Sequence, residues 1–388
     1  MINSTGMHTL NPLGSDPKSH SDVAVFTTDI EKVTVAPISE KKRALTSMRV
    51  ADLIEEFQRI GLPEKKSKYH AKQVFQWVYQ RKVTSFDDMT DLSKVLRQHL
   101  KDHFELHRPL RVEQQRSMDG TQKFLWKLAD GQTIESVLIP AEDRMTICIS
   151  SQVGCAMGCK FCLTGTMGLI RNLEVHEIVD QVLDLSRDAN ITNIVYMGMG
   201  EPLHNLENVA RSVEILLNQD GLNFSKRKIT ISTSGLVQQI RKMNERLIGP
   251  NRVNLAISLN GSFDEQRESV MPINKAFNLE KLMAACADFE LEPHRRITFE
   301  YVVLKDVNDT IDDAKRVIRL LKDIPSKVNL IPYNPHHGSP YQRPDDDRVE
   351  ELHQYFLSHN VSAMIRHSRG RDILAACGQL KSKDDAAQ

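Results

Sequence analysis

Cys155, Cys159 and Cys162 stand in one run, Cys155-Ala-Met-Gly-Cys159-Lys-Phe-Cys162, with C-x3-C-x2-C spacing. Cysteine thiolates hold iron–sulfur clusters, and three of them can take three corners of a four-iron cluster. The fourth iron then stays open to an outside ligand. A structural zinc site is the alternative, but zinc there wants four closed protein ligands, often as paired C-x2-C units. No second C-x2-C follows this run and no histidine pair stands close behind it; His176, the nearest downstream histidine, sits in a helical pattern.

Other polar groups cluster where apolar runs end. Gly198-Met-Gly-Glu-Pro202 follows the apolar run Asn193–Met197. Glycines at a strand end permit close backbone approach to a ligand, and the Glu201 carboxylate can accept a bond from an ammonium group. A dinucleotide fingerprint is the rival, but its third glycine is missing. Ser232-Thr-Ser-Gly235, Ser258-Leu-Asn-Gly261 and Pro332-Tyr-Asn-Pro335 take equivalent places on later strands. Alone, Ser232-Thr-Ser-Gly235 is more often a helix N-cap, and each of the three taken singly is a weak sign of a ligand contact. Of the remaining cysteines, Cys286 shares a helical face with Leu279, Leu282 and Met283 and fits a core position. Cys148 lies on the strand that leads into the cysteine loop. Cys377, in Ala375-Ala-Cys-Gly-Gln-Leu380, follows Arg366, Arg369 and Arg371. Nearby cations favour the thiolate and suit RNA phosphate.

Elements of regular period must carry these groups. Strands are predicted at about 146–150, 193–197, 228–232, 253–258, 297–303, 328–332 and 361–366, with helices over 174–187, 205–217, 235–245, 279–289 and 310–322. Repeated β-α units imply a parallel sheet, open or curled into a partial barrel. In such folds chemistry sits at the C-terminal strand ends, where the cysteine loop falls. Before them, residues 109–145 predict hairpin strands around Asp119-Gly120 and Asp130-Gly131, a β extension or linker. Residues 46–108 predict a helical unit, with helices over 48–60, 69–81 and 93–103. Its Lys65, Lys66, Lys68, Lys72, Arg81 and Lys82 make either a solvated face or an RNA-contacting one. Residues 1–45 and 381–388 are polar and predict mobile tails.

The bulk numbers set limits. Lys+Arg and Asp+Glu are balanced at 51 each, so global charge decides nothing about a polyanionic partner. Six cysteines in 388 residues, four of them within 148–162, are no disulfide framework and point to a reducing compartment. No apolar run reaches a membrane span, and no basic-then-apolar leader opens the chain. The expectation is a cytoplasmic protein.

Taken together, these motifs resemble the RlmN/Cfr family of radical S-adenosylmethionine (SAM) RNA methyltransferases. The resemblance covers about residues 48–380. It rests on the cysteine loop, Arg171-Asn-Leu, Gly198-Met-Gly-Glu-Pro, Ser232-Thr-Ser-Gly, Asn329-Leu-Ile-Pro-Tyr-Asn334-Pro, Arg369-Gly-Arg-Asp and Ala-Ala-Cys377-Gly-Gln-Leu. It implies an α/β fold: a partial (β/α)6-type radical SAM barrel over 146–380, with the helical domain and β extension before it. It implies a [4Fe-4S] cluster on Cys155, Cys159 and Cys162. It also implies SAM contacts at Gly200, Glu201, Ser232, Ser258, Leu259, Asn260 and Asn334.

The activity implied for the RlmN branch is methylation of C2 of an adenosine in 23S rRNA and of the adenosine beside the anticodon in tRNA. An aromatic C2 is a poor nucleophile, so the family works in two stages and uses two SAM per turnover. Cys377 first takes a methyl group from one SAM. A radical made from the second takes hydrogen from that methyl, and the carbon radical adds to C2. Cys148 then attacks the Cys377 sulfur, which forms a disulfide and frees the product, while Glu135 takes the C2 proton. A low-potential donor such as flavodoxin or ferredoxin would supply electrons to a monomeric enzyme. The chain departs from the family pattern at Asn260, where histidine is common, and at Gly261-Ser-Phe263. Methylation at C8, as in the Cfr branch, and a non-enzymatic metal-stabilised RNA-binding module are the alternatives.

Overall fold

The computed structural model describes residues 42–107 and 109–381, with the backbone of an antiparallel strand pair, β1 (Phe26–Thr28) and β2 (Ile30–Val33). The expected tails lie outside the described residues, except for that pair, residues 42–45 and Lys381. Order begins earlier than the expected boundary. Strand β3 (Arg43–Ala44) pairs with β4 (Phe104–Glu105) across the ends of α1 (Val50–Arg59), α2 (Glu64–Tyr79) and α3 (Lys94–His103). Leu45 is fully buried and ties this start to the helical core.

Helical spacing puts Leu53, Phe57, Val74, Phe75, Val78, Leu96 and Leu100 into one core with Val179, Leu183 and Ile215 of the following region. Burying each such side chain contributes about 1.5–3 kcal/mol. The seam is also ionic: Arg49 meets Glu214 at 3.1 Å and Arg211 meets Asp52 at 2.6 Å. Several cations of the basic face are occupied locally. Lys68 pairs with Glu64, Lys72 with Asp220, Arg81 lies over Trp77, and Lys82 bonds the Ser186 carbonyl.

The main sheet has ten strands. They are β5 (Leu110–Arg116), β6 (Gln122–Lys127), β7 (Thr133–Ala141), β8 (Arg144–Cys148), β11 (Asn193–Tyr196), β12 (Ile229–Thr233), β13 (Asn254–Ser258), β14 (Ile297–Val303), β15 (Ser326–Pro332) and β16 (Ala363–Ile365). Their spatial order is β16-β15-β14-β13-β12-β11-β8-β7-β6-β5. From β8 onward neighbours are parallel; β5 to β8 pair antiparallel. The expected β extension is therefore no separate linker: hairpin geometry lets β5–β7 continue the barrel sheet edge to edge.

Helices α4 (Val175–Leu185), α5 (Leu206–Leu217), α6 (Val237–Arg246), α8 (Leu279–Ala287) and α9 (Ile311–Leu321) follow the predicted β-α alternation, joined by α7 (Asp264–Val270) and α10 (Asp346–Ser358). A hairpin, β9 (Gln152–Cys155) and β10 (Gly168–Asn172), brackets the cysteine loop. One buried amide fixes its approach. Gln181 of α4 accepts from the Ser136 hydroxyl at 2.7 Å and the Ser150 N–H at 2.9 Å, and donates to the Ser150 carbonyl at 3.1 Å. Buried polar groups left unpaired are costly, so this set locks β7, β8 and α4 in register. Among the described residues no helix is long and apolar enough to cross a membrane.

Candidate active site

The C-terminal strand ends surround a cavity of about 870 Å³, open to solvent at its mouth. Cys155 leaves β9 into it, and Cys159 and Cys162 come from the loop beyond. The loop is held by its backbone: Lys160 N–H donates to the Val270 carbonyl at 3.0 Å and Leu163 N–H to the Gly378 carbonyl at 2.7 Å. Gly165 packs so closely that a Cβ would sit 2.8 Å from the Cys159 carbonyl oxygen.

The three thiols are desolvated. Burial pushes Cys155 up to about 12, Cys159 well up and Cys162 up, with neighbouring thiols adding to the first two. Arg267 is the cation that favours the Cys159 thiolate, yet burial outweighs it at all three thiols, and bound iron would supply the further positive charge they need. Among the described residues no three His, Cys, Asp or Glu side chains converge on the space of a single metal ion; the thiols surround cavity space. Two buried polar atoms there, Ser234 Oγ and Asn334 Oδ1, have no hydrogen-bond partner. The donor set thus fits a cluster with a polar ligand beside it.

Gly200, Glu201, Ser232, Ser258 and Asn334 all line this cavity. At Gly200, φ is +102° and a Cβ would meet Gln152 at 2.5 Å, so only glycine fits. Gln152 Oε1 accepts from Glu201 N–H at 2.7 Å, and the Glu201 carboxylate accepts from Leu203 N–H at 3.0 Å and Ser234 N–H at 2.7 Å. Burial pushes this carboxyl up. Each oxygen still has a lone pair to offer an ammonium group. Leu259 and Asn260 are not among the lining residues. Asn260 is left-handed at φ +53°, and its amide is occupied by Val302 N–H at 2.8 Å and Met271 Sδ at 3.3 Å. Its side chain therefore supports the neighbouring strand and not the cavity.

Cys377 reaches the same cavity from more than 200 residues downstream. Its segment is strapped at several points. Ser117 Oγ and Met118 N–H donate to Asp372 at 2.5 and 3.2 Å, and Gly370 N–H donates to Asp119 at 2.9 Å. Thr164 Oγ donates to the Leu380 carbonyl at 2.6 Å, and Asn334 Nδ2 to the Cys377 carbonyl at 3.4 Å. Cys377 also lines a second groove, with Arg144, Thr146 and Arg366. It is exposed to both spaces.

Cys148 ends β8 beside this segment. Burial and then Cys377 push its thiol up to about 12, against the pull of Arg366. Burial pushes Cys377 up to about 11, and Arg366 again pulls the other way. The Arg366 guanidinium is anchored on Glu300 at 3.2 Å, and Glu300 accepts from Ser232 Oγ at 3.3 Å. One cation thus serves two thiols. Both are free cysteines in this structure.

Glu135 is not a lining residue of either space. Its buried carboxylate meets Lys123 Nζ at 3.1 Å and accepts from Lys381 N–H at 2.9 Å, behind the C-terminal segment. The structure also shows residues the motifs do not single out. Arg267 is fully buried and donates to the carbonyls of Ser234 at 2.6 Å, Leu259 at 3.0 Å and Ser258 at 3.2 Å, which fixes two strand ends together. No motif in the sequence marks Arg267.

Comparison with known proteins agrees with this geometry. The profile of the family described as ribosomal RNA large subunit methyltransferase N-terminal domain matches residues 45–106, and that of the radical SAM superfamily matches 149–321. The dual-specificity RNA methyltransferase RlmN of Geobacter sulfurreducens is 52% identical over 333 residues, 86% of this chain and 91% of that protein. RlmN 2 of Myxococcus xanthus is 46% identical over 367 residues, 91% of this chain and 96% of that one. The crystal structure of a radical SAM methyltransferase from Sphaerobacter thermophilus superposes with TM-score 0.80 at 42% identity, covering 87% of this chain and 99% of that one.

Proposed function

The chain belongs to the RlmN family of radical SAM RNA methyltransferases, and we propose that it methylates C2 of adenosine in 23S rRNA and beside the tRNA anticodon. The observation that carries the reading is the position of Cys377, which faces both the cysteine-lined cavity and the groove on its other side. A thiol reachable from two compartments can receive a group in one and deliver it in the other. The N-terminal profile match and the names of relatives about half identical favour C2.

Cys155, Cys159 and Cys162 would hold the [4Fe-4S] cluster, with Gly200, Glu201, Ser232, Ser258 and Asn334 around SAM. Bound there, the cluster and two successive SAM molecules would supply a methyl group and a 5′-deoxyadenosyl radical. The chain's own residues do the rest. Cys377, as thiolate, accepts the methyl group and keeps it as a thioether. Arg366 balances the thiolate charge, which burial otherwise disfavours. The same carbon, once it has given one hydrogen atom to the radical, becomes bonded to C2 of the base while still on sulfur, and the adduct gives up one electron, which the cluster would take back. Glu135 then takes the C2 proton, once the Lys381 N–H that now occupies it has moved aside. Cys148, as thiolate, attacks the Cys377 sulfur; the S–S bond forms as the S–C bond breaks, the electron pair goes to the freed methylene carbon, that carbon takes a proton, and the methylated base leaves. We further propose that the enzyme works as a monomer in the cytoplasm with a flavodoxin- or ferredoxin-like donor, and that residues 46–108 and 146–380 are its two functional domains.

Mapping the methyl group by nucleoside mass spectrometry after reaction with the RNA tests the regiochemistry. The expected product is 2-methyladenosine. Methyl only at C8 would replace this reading with that of the Cfr branch.

A further inference from the structure

The cysteine-lined cavity and the groove beyond it share a wall. Ile331, Asn334 and Cys377 line both spaces. The wall also holds an ion pair whose two halves face opposite ways. Glu300 of β14 lines the cavity and not the groove, whereas Arg366, just after β16, lines the groove and not the cavity. The pair is fixed from the cavity side. Glu300 is buried; its carboxylate holds Arg366 Nη1 at 3.2 Å and accepts from Ser232 Oγ at 3.3 Å. The same Nη1 reaches Met197 Sδ at 3.5 Å, and the Arg366 backbone N–H donates to the Leu330 carbonyl at 2.8 Å. The guanidinium is thus tied at one nitrogen. Its Nε and Nη2 have no partner among the described residues and are not closed off by protein.

A guanidinium is a planar fork of donors with no acceptor, so a ligand in the groove meets it with acceptor atoms. Arg144 and Arg369 line the same groove but are exposed, while Arg366 is half-buried. A pinned fork suits an acceptor in a fixed place. Much of the remaining wall near Cys377 is apolar, with Ile139, Pro140, Ala375 and Ala376. An apolar slot that carries one held donor fork and ends at a thiol fits an unstacked base: its faces pack on side chains and its edge takes the hydrogen bonds. Adenine has acceptors at N1 and N3, and those two nitrogens flank C2.

We propose that Arg366 reads the target base: held by Glu300, it donates from its free nitrogens to a ring nitrogen beside C2 of adenine and aims that carbon at Cys377. This rests on the RNA-methyltransferase reading above and adds what selects the carbon. The two uses of Arg366 follow in time. It balances the Cys377 thiolate before methyl loading, and once Cys377 is a neutral thioether its charge is free for the base. The bond draws electron density from C2 and steadies the density that moves onto nitrogen as the new C–C bond forms. N7 flanks C8 on the other ring, so a fork set beside C2 does not serve C8.

The test uses full-length, cluster-loaded protein whose Cys377 has been fully methylated beforehand, so that the loading step drops out. The RNA is a synthetic anticodon stem-loop carrying the target adenosine or its 1-deaza, 3-deaza or 7-deaza analogue, and the single-turnover rate of methylation at C2 is read by nucleoside mass spectrometry. R366Q, matched to wild type in iron content and final methyl loading, should be slower by about tenfold or more on the natural and 7-deaza RNAs. On one of the two analogues that lack a nitrogen beside C2, R366Q and wild type should react at the same rate, because the bonded atom is already gone. If R366Q does not load methyl, R366K, which keeps the cation but not the fork, takes its place with the same expected pattern. An equal slowing of all four RNAs, or of none, would overturn the contact, as would a penalty that disappears only on the 7-deaza RNA. No methyl at C2 of the natural RNA with wild-type protein would overturn the methyltransferase reading itself.

Discussion

The cysteine loop and the C-terminal segment place thiols in the same cavity by opposite means. Cys155, Cys159 and Cys162 fall within eight consecutive residues, and one hairpin with a few backbone bonds sets their spread. Cys377 stands there only because distant parts of the chain hold its segment: the Ser117–Asp119 turn, Glu135, Thr164 and Asn334. The loop is a local device and the segment a tertiary one. The difference would suit the proposed tasks, since a cluster site must stay fixed while a methyl carrier must meet two partners.

The sharpest way to separate the two is to remove one thiol from each. Cys377→Ala should abolish RNA methylation while iron content, read by absorption and metal analysis, stays at the wild-type value; Cys159→Ala should lose the iron. Next, Cys148→Ala should load methyl on Cys377 and then stall with RNA covalently attached, seen as a shifted band on a denaturing gel. Normal turnover by that variant would remove Cys148 from the release step.

A smaller effect is expected from the straps. Combined Asp119→Ala and Asp372→Ala removes the acceptors of the Ser117, Met118 and Gly370 bonds. Methylation should fall roughly tenfold or more, with faster hydrogen exchange across 370–381 and no change in iron. Unchanged exchange would mean the segment is held elsewhere. The smallest expected effect concerns the cation shared by the thiol pair. Burial holds Cys377 near 11, so its thiolate is scarce at neutral pH. Its alkylation by iodoacetamide should rise about tenfold per pH unit from 7 to about 10. Arg366→Gln removes the group that opposes burial, so the whole profile should shift to higher pH and slow at any fixed value. A faster Arg366→Gln variant would contradict the role given to this guanidinium.

What was legible beforehand follows the same division. The β-α alternation and the helices from Val175 to Leu321 are written in local periodicity, and the structure keeps them. The cysteine loop was legible as one unit because its three thiols are neighbours in sequence. The β5–β7 strands were legible as hairpins but not as part of the barrel sheet, because edge pairing is a property of the assembled sheet. Asn260 shows the limit on the site side. A polar residue after a strand end has the pattern of a ligand contact, but its left-handed backbone turns the amide toward Val302. Glu300, Arg267 and Lys123 carry no motif at all; only packing brings their charges to the thiols, the strand ends and Glu135.

The central claim is that one carbon travels from SAM to Cys377 and from there to adenosine. Protein whose Cys377 has been loaded from methyl-deuterated SAM, freed of excess and then reacted once with RNA in the presence of unlabelled SAM, tests it most directly. The account predicts that deuterium leaves the Cys377 peptide and appears in the methylated adenosine in the first turnover. An adenosine methyl carrying no deuterium, with the label still on Cys377, would contradict it.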